Sequence, residues 1–170
     1  TYGWSCEETG SRLTTAEEEI SAKEIVYTLN GTMAKVIGHM FESSLVGQFY
    51  FKNTLSAVSA LLSLGFSLES ILTAVKALIP IQGRLEIFKY KSATIIVDYA
   101  YEPYALKALY ETVRLFNPKR IIHVTGSAGG GRDVARRAEI GRLSAERDDI
   151  LVVTNEDPYD EDPLDIVNEV

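Results

Sequence analysis

The chain has 170 residues, of which 46% are hydrophobic and 24% charged, with a formal net charge of −7 and one cysteine. This composition excludes a disordered chain, and its acidity argues against a general nucleic-acid or anionic-membrane surface, since such partners are met by basic faces. Cys6 alone supports neither an internal disulfide framework nor a thiolate zinc cluster, no apolar run reaches membrane-spanning length, and the expected setting is the reducing cytoplasm.

The amino-terminal stretch from Glu7 to Glu19 is polar. Two short β-branched runs then flank Asn30-Gly31, a dipeptide suited to the tight turn of a hairpin. From Asn53 to Leu64 the apolar residues Leu55, Val58, Leu61 and Leu62 fall at helical spacing, and Gly65 is placed to cap the end. Ser67 caps a second helix whose stripe is Leu68, Ile71, Leu72, Val75 and Leu78, stopped by Pro80.

Near Gly83 the pattern changes to strands alternating with helices. Ala93–Val97 is apolar enough for a buried strand, Pro103 opens a helix, and Ile121–Val124 reads as the second strand. Ala135–Glu146 follows as a helix and Ile150–Thr154 as a third strand, with Asp162-Pro163 capping a further helix. This βαβαβα order predicts an α/β fold with a Rossmann-like parallel sheet in the carboxy-terminal half, preceded by a hairpin and helices. Ligands of such sheets lie at the carboxyl ends of the strands.

Three chemical segments fall at those ends. Asp98-Tyr99-Ala100-Tyr101-Glu102-Pro103 follows the first strand, where Asp98 either accepts from a ribose hydroxyl or caps the next helix. Gly126 to Arg137 joins glycines, which let backbone approach a ligand, to Arg132, Arg136 and Arg137, whose planar forks suit carboxylate or phosphate. Thr154 to Asp162 carries five carboxylates in the seven positions from Glu156 to Asp162, either an amine or metal site or a solvated acidic loop. His39, His123 and Cys6 have no arrangement of partners that suggests catalysis, so no catalytic side chain and no metal ligand is assigned.

Taken in order, these pieces resemble the Mur ligase family, the ATP-dependent amide-bond synthetases of peptidoglycan precursor assembly, and within it the MurE-type branch that extends UDP-N-acetylmuramoyl-dipeptide. Gly47 to Asn53 resembles the family's G-x-F-N-x-x-N, and Gly83-Arg84-Leu85-Glu86 its G-R-M-E. Val97 to Leu106 resembles V-D-Y-A-H-T-P-D-A-L, and Gly129 to Arg137 the G-G-D-R-D-x-x-K-R block. The resemblance implies that residues 1–82 end a central ATPase domain and residues 83–170 begin a carboxy-terminal domain. It also implies ATP and Mg²⁺ as cofactors, held mainly by parts of such an enzyme outside this chain, and an activated carboxylate attacked by an amino-acid amine. Asn53, Arg84, Asp98 and Tyr101 would face the nucleotide; Arg132, Glu156, Asp157 and Tyr159 would face the amino-acid acceptor.

The departures from the pattern carry their own expectations. Tyr101 and Glu102 stand where the family has His and Thr, and Tyr50 stands for the first Asn of G-x-F-N. Glu156-Asp157-Pro158-Tyr159 replaces D-N-P-R, which removes an arginine suited to the distal carboxylate of diaminopimelate and favours a lysine-like diamine. Asn30 to Val36 only outlines a phosphate-binding loop, with Ala34 and Val36 in place of a glycine and a hydroxyl residue, and it lies in a hairpin context. The chain therefore reads as a piece of a longer ligase, with little activity alone and an exposed sheet face prone to self-association. The alternative is a non-catalytic nucleotide- or carboxylate-binding module from a degenerate ligase.

Overall fold

The computed structural model describes residues 2–3, 18–131 and 133–170, and the chain divides into two compact units, Thr1–Asp98 and Tyr99–Val170. Cys6 and Arg132 lie outside the described residues.

In the first unit a short parallel pair, β1 (Tyr2–Gly3) and β2 (Glu18–Glu19), precedes an antiparallel sheet of β3 (Ala22–Thr28), β4 (Gly31–Val36) and β5 (His39–Ser43). The expected hairpin turn forms at Asn30-Gly31: the Thr28 hydroxyl donates to the Gly31 carbonyl and accepts from the Asn30 amide. Along β4 the two-residue period is plain, with Thr32, Ala34 and Val36 buried and Met33 and Lys35 exposed. Lys35 pairs with Glu24 at 2.8 Å on the outer face. A phosphate-binding loop needs a helix after its lysine, so Asn30 to Val36 is not one.

Two helices cover the inner face of this sheet, α1 (Gln48–Ser63) and α2 (Leu68–Lys76). The core joins Val36 and Phe41 of the strands to Phe51, Val58, Ile71, Leu72 and Val75 of the helices. Phe41 meets Phe51 edge-on at 5.1 Å, and that packing explains why α1 begins a turn before the helix expected from Asn53: burying Phe51 contributes about 1.5–3 kcal/mol, enough to carry the aromatic run into the helix. The helix ends as the sequence implies. Gly65 takes φ 88, its amide donates to the Leu62 carbonyl and that of Phe66 to Leu61, the paired bonds of a Schellman cap. Ser67 then accepts from the Ser70 amide to start α2.

The unit closes with a hairpin of β6 (Glu86–Tyr90) and β7 (Ala93–Val97). Here one expectation is corrected: Ala93–Val97 is a strand, but its hydrogen-bonded neighbour is β6 in an antiparallel pair. The turn at Lys91-Ser92 lacks glycine, with Lys91 itself at φ 53, so no turn signal revealed β6.

The second unit runs α3 (Pro103–Arg114), β8 (Ile122–Thr125), α4 (Ala135–Ala145), β9 (Ile150–Val153), α5 (Pro163–Glu169). Strands β8 and β9 pair in parallel from Ile122↔Ile150 to Thr125↔Val153, with α4 as the crossover. This βαβ unit is the Rossmann-like element expected in the mixed α/β fold. Leu106 and Tyr110 of α3 pack with Ile140 and Leu143 of α4 in its core. Ile122, Val124, Ile150 and Val152 alternate onto the other sheet face and are 42–62% exposed.

Candidate functional site

In the first unit, hydrogen bonds fix the backbone around Arg84 and the side chain of Asp98, two of the residues expected near a nucleotide. The Tyr50 hydroxyl of α1 donates to the Arg84 carbonyl at 2.6 Å, and the Leu85 amide donates to Asp98 Oδ2 at 2.7 Å. Asn53, exposed, sits one turn along α1 from Tyr50. Tyr50 therefore ties α1 to the Arg84–Leu85 loop, which Asp98 holds from the other side. Burial pushes the Tyr50 phenol up, the Asp98 charge adds to that rise, and the Arg84 charge opposes it. The sequence marked Tyr50 only as a departure from a motif; the structure makes it the joint of this surface. Asp98 binds the Arg84–Leu85 loop through one carboxylate oxygen, and the Arg84 side chain is exposed. These donors and acceptors fit a ribose and a phosphate. Among the described residues no cluster suits a metal ion.

In the second unit the glycine-arginine loop leaves the carboxyl end of β8 and the acidic loop leaves that of β9, and the two are locked together. The Gly129 amide donates to the Asp157 carbonyl at 2.8 Å, and a Cβ on Gly129 would overlap the Pro158 carbonyl. The Gly131 amide donates to Glu161 Oε1 at 3.1 Å. Arg137, 1% exposed, clamps the pair from below. It donates from both terminal nitrogens to Glu161, at 2.9 and 3.1 Å, and also to Glu169 and to the Ala128 carbonyl. Asp162 caps α5 through the Leu164 amide.

The acidic loop is thus not merely solvated: Glu161 and Asp162 are structural, leaving Glu156, Asp157 and Asp160 as exposed carboxylates. Arg137 likewise has a different role from the one the sequence suggested. It binds the chain's own carboxylates and presents no fork to a ligand.

Beside this lock lies a small cavity of about 60 Å³, lined by Tyr99, Tyr101, Gly126, Ser127, Ala128, Arg136, Ile140 and Glu156. Arg136 Nη1 donates to Glu102 at 2.9 Å, its guanidinium lies 4.9 Å from the Tyr101 ring centre, and Tyr101 meets Tyr99 edge-on at 5.4 Å. Arg136 Nε and Ser127 Oγ are buried with no hydrogen-bond partner among the described residues. The structure brings Tyr101 and Glu156 to this cavity; Asp157 lies next to it in the chain, and Tyr159 covers Gly130 with its own backbone at φ 52.

His123 belongs to a second polar cluster that the sequence did not foresee. Its Nδ1 lies 3.1 Å from the Tyr110 hydroxyl, 3.0 Å from Asp148 Oδ2 and 3.2 Å from Ser144 Oγ. Serine, histidine and aspartate meet, but serine and aspartate share one ring nitrogen, so no proton relay runs through the imidazole. The cluster ties α3, β8 and α4 together around a carboxylate with no exposed side-chain surface. Burial pushes the Tyr110 phenol well above its ordinary range, so it stays a donor to Asp148.

A parallel strand pair with a crossover helix, ending in a glycine-arginine loop locked to an acidic loop, defines an α/β protein with a Rossmann-like element. Residues 83–170 match the family described as Mur ligase, glutamate ligase domain, and the chain belongs to that family. It is 37% identical over 158 residues to the UDP-N-acetylmuramoyl-L-alanyl-D-glutamate--2,6-diaminopimelate ligase of Gloeobacter violaceus (strain ATCC 29082 / PCC 7421), covering 89% of this chain and 32% of that relative. A solved diaminopimelate ligase of the same name superposes with a TM-score of 0.52 at 26% identity, over 92% of this chain and 32% of that one. MurF from Acinetobacter baumannii superposes with a TM-score of 0.68 at 20% identity, over 88% of this chain and 33% of that one, a likeness of fold. The chain spans about a third of the length of the curated relative.

Proposed function

We propose that this chain forms part of an ATP-dependent ligase that joins a diamino acid to UDP-N-acetylmuramoyl-L-alanyl-D-glutamate in the cytoplasm, with residues 1–82 completing a central ATPase domain and residues 83–170 opening a carboxy-terminal one. The observation that carries the reading is the identity to relatives named for that reaction, which extends over 89% of this chain in the first case. The geometry supports it. The surface of Tyr50, Arg84 and Asp98 offers an open carboxylate oxygen for a ribose hydroxyl and a cation for phosphate, with Asn53 placed for a base. ATP, with Mg²⁺ held by other parts of the enzyme, supplies the phosphoryl group that activates the substrate carboxylate. In the second unit, Glu156 lines the cavity at the strand ends, with Asp157 and Tyr159 on the adjoining loop, where an incoming amino acid would be oriented; Arg132 is assigned to its carboxylate from the motif, and Tyr101, beside the same cavity, keeps the nucleotide role that the motif implies. Such a reaction needs positioning and charge stabilisation more than a strong side-chain nucleophile.

Two acceptors follow from different observations. The relative's name points to diaminopimelate. The exposed Glu156 and Asp157, with Tyr159 where an arginine would hold a distal carboxylate, point to lysine. Amino-acid-dependent phosphate release from ATP by the complete open reading frame, with the UDP-muramoyl-dipeptide and either amino acid, tests the function. Release with one amino acid establishes the ligase and its acceptor. A folded protein that releases phosphate with neither overturns the reading in favour of a non-catalytic binding module.

A further inference from the structure

Among the described residues six non-glycine positions take a positive φ, and Leu85, at φ 48, is the one that is buried. A bulky L-residue is strained in that region, and the conformation persists only where its surroundings over-determine it. Four hydrogen bonds do so here. The Gly83 amide donates to Glu86 Oε2 at 2.9 Å, and the Arg84 amide donates to the Ile81 carbonyl at 2.9 Å, both within the turn. The other two come from side chains 34 and 13 residues away: the Tyr50 hydroxyl donates to the Arg84 carbonyl at 2.6 Å, and the Leu85 amide donates to Asp98 Oδ2 at 2.7 Å.

The Arg84 carbonyl and the Leu85 amide belong to one peptide group, so Tyr50 and Asp98 grip the two ends of the same planar unit. Turning that peptide over would relieve Leu85 but would set the Asp98 carboxylate, which only accepts, against a carbonyl oxygen. With Tyr50 in place, Asp98 does not hold the strained orientation alone. Burial and then the Asp98 charge push the Tyr50 phenol up, so the hydroxyl keeps its proton at neutral pH and remains a donor. The motif that Gly47 to Asn53 resembles has asparagine at this position, so the tie is a feature of this chain and not of the motif.

We propose that Tyr50 is a positioning residue for Asp98: by locking the strained Arg84–Leu85 peptide it fixes the carboxylate in the orientation that receives the ribose of ATP. The proposal deepens the nucleotide role of this surface and rests on that reading. Tyr50 touches neither ribose nor phosphate in this scheme. It acts through one peptide, and its loss lets Leu85 relax toward an ordinary φ, drawing the Leu85 amide away from Asp98 and freeing the carboxylate to rotate.

The test is made on the complete enzyme and its Tyr50→Phe variant, which keeps the ring and removes only the hydroxyl. Amino-acid-dependent phosphate release is measured with ATP, 2′-deoxy-ATP and 3′-deoxy-ATP, and hydrogen exchange is followed at the Leu85 amide. In Y50F the Leu85 amide should exchange faster, and KM for ATP should rise roughly three- to tenfold with kcat within twofold. KM for the deoxy analogue lacking the contacted hydroxyl should stay as it was, so the preference for ATP over that analogue shrinks. A purely structural tyrosine would instead raise KM for all three nucleotides alike or lower kcat, and either result overturns the proposal. Unchanged exchange at Leu85 overturns the lock, and an unchanged KM for ATP overturns its role in the site while leaving the ligase standing. A folded native enzyme that releases no phosphate with any amino acid removes the ligase reading, and the proposal falls with it.

Discussion

Replacing Arg137 by methionine isolates what holds the two strand-end loops together. The native guanidinium donates four bonds, to Glu161 twice, to Glu169 and to the Ala128 carbonyl, from a side chain 1% exposed. Breaking a buried ion pair by removing one partner costs about 3–5 kcal/mol when the other charge stays buried. Here the stranded carboxylates are 30% and 47% exposed and regain water, so the expected loss is about 2–3 kcal/mol. Methionine fills much of the same volume, which keeps a cavity penalty out of the measurement. Hydrogen exchange resolved to single amides is the suitable assay, because it separates the two units. The amides of α5 and of Gly131 should exchange roughly 30- to 150-fold faster, while those of α1 and α2 stay as they were. Glu161→Gln, which keeps the shape and removes one charge, should give a smaller change in the same amides. An exchange rate at α5 within twofold of the native chain would refute the claim that Arg137 is structural and restore it as a candidate ligand group.

Gly129→Ala should loosen the same lock from the other side, since its Cβ would overlap the Pro158 carbonyl; a loss of about 1–3 kcal/mol is expected, read as faster exchange of the Gly129 amide. Acid should act through Glu161, whose carboxyl is held below its usual 4.5 by the Arg137 hydrogen bonds and then by the Gly131 amide. Because the folded value lies below the unfolded one, this contribution is complete above about pH 4.5 and is lost as pH falls through the folded value. Exchange at α5 should therefore accelerate below that pH in the native chain and change less in Glu161→Gln. The apolar sheet face of Ile122, Val124, Ile150 and Val152 should make the isolated chain self-associate; sedimentation at micromolar concentration should show oligomers that the double change Val124→Lys and Val152→Lys reduces. A native chain sedimenting as a clean monomer would contradict this.

Local signals carried most of the fold. The Asn30-Gly31 turn, the Gly65 cap, Ser67, Pro103 and Asp162 each act within a few residues of themselves, and each stands where the sequence placed it. Non-local pairing was harder to see. Strand β6 is announced by no glycine or proline because Lys91 takes the positive φ of its turn, and the partner of Ala93–Val97 could be assigned only once β6 was known. The early start of α1 depends on Phe51 finding Phe41, a contact no window of sequence contains.

The same distinction governs the arginines. As a sequence, Arg136 and Arg137 are equivalent cations in one motif, both suited to an anion. What separates them is which carboxylates the folded chain delivers. Helix α5 and the acidic loop bring Glu169 and Glu161 under Arg137, from positions 32 and 24 residues away. Among the described residues Arg136 pairs with Glu102 alone, at a separation of 34 residues. Arg137 joins two carboxylates and a carbonyl from three segments of the scaffold, whereas Arg136 pairs with a single carboxylate. Composition and spacing identify the residue types that can handle an anion. Only the long-range placement of the opposing carboxylates decides which of them is left to do so.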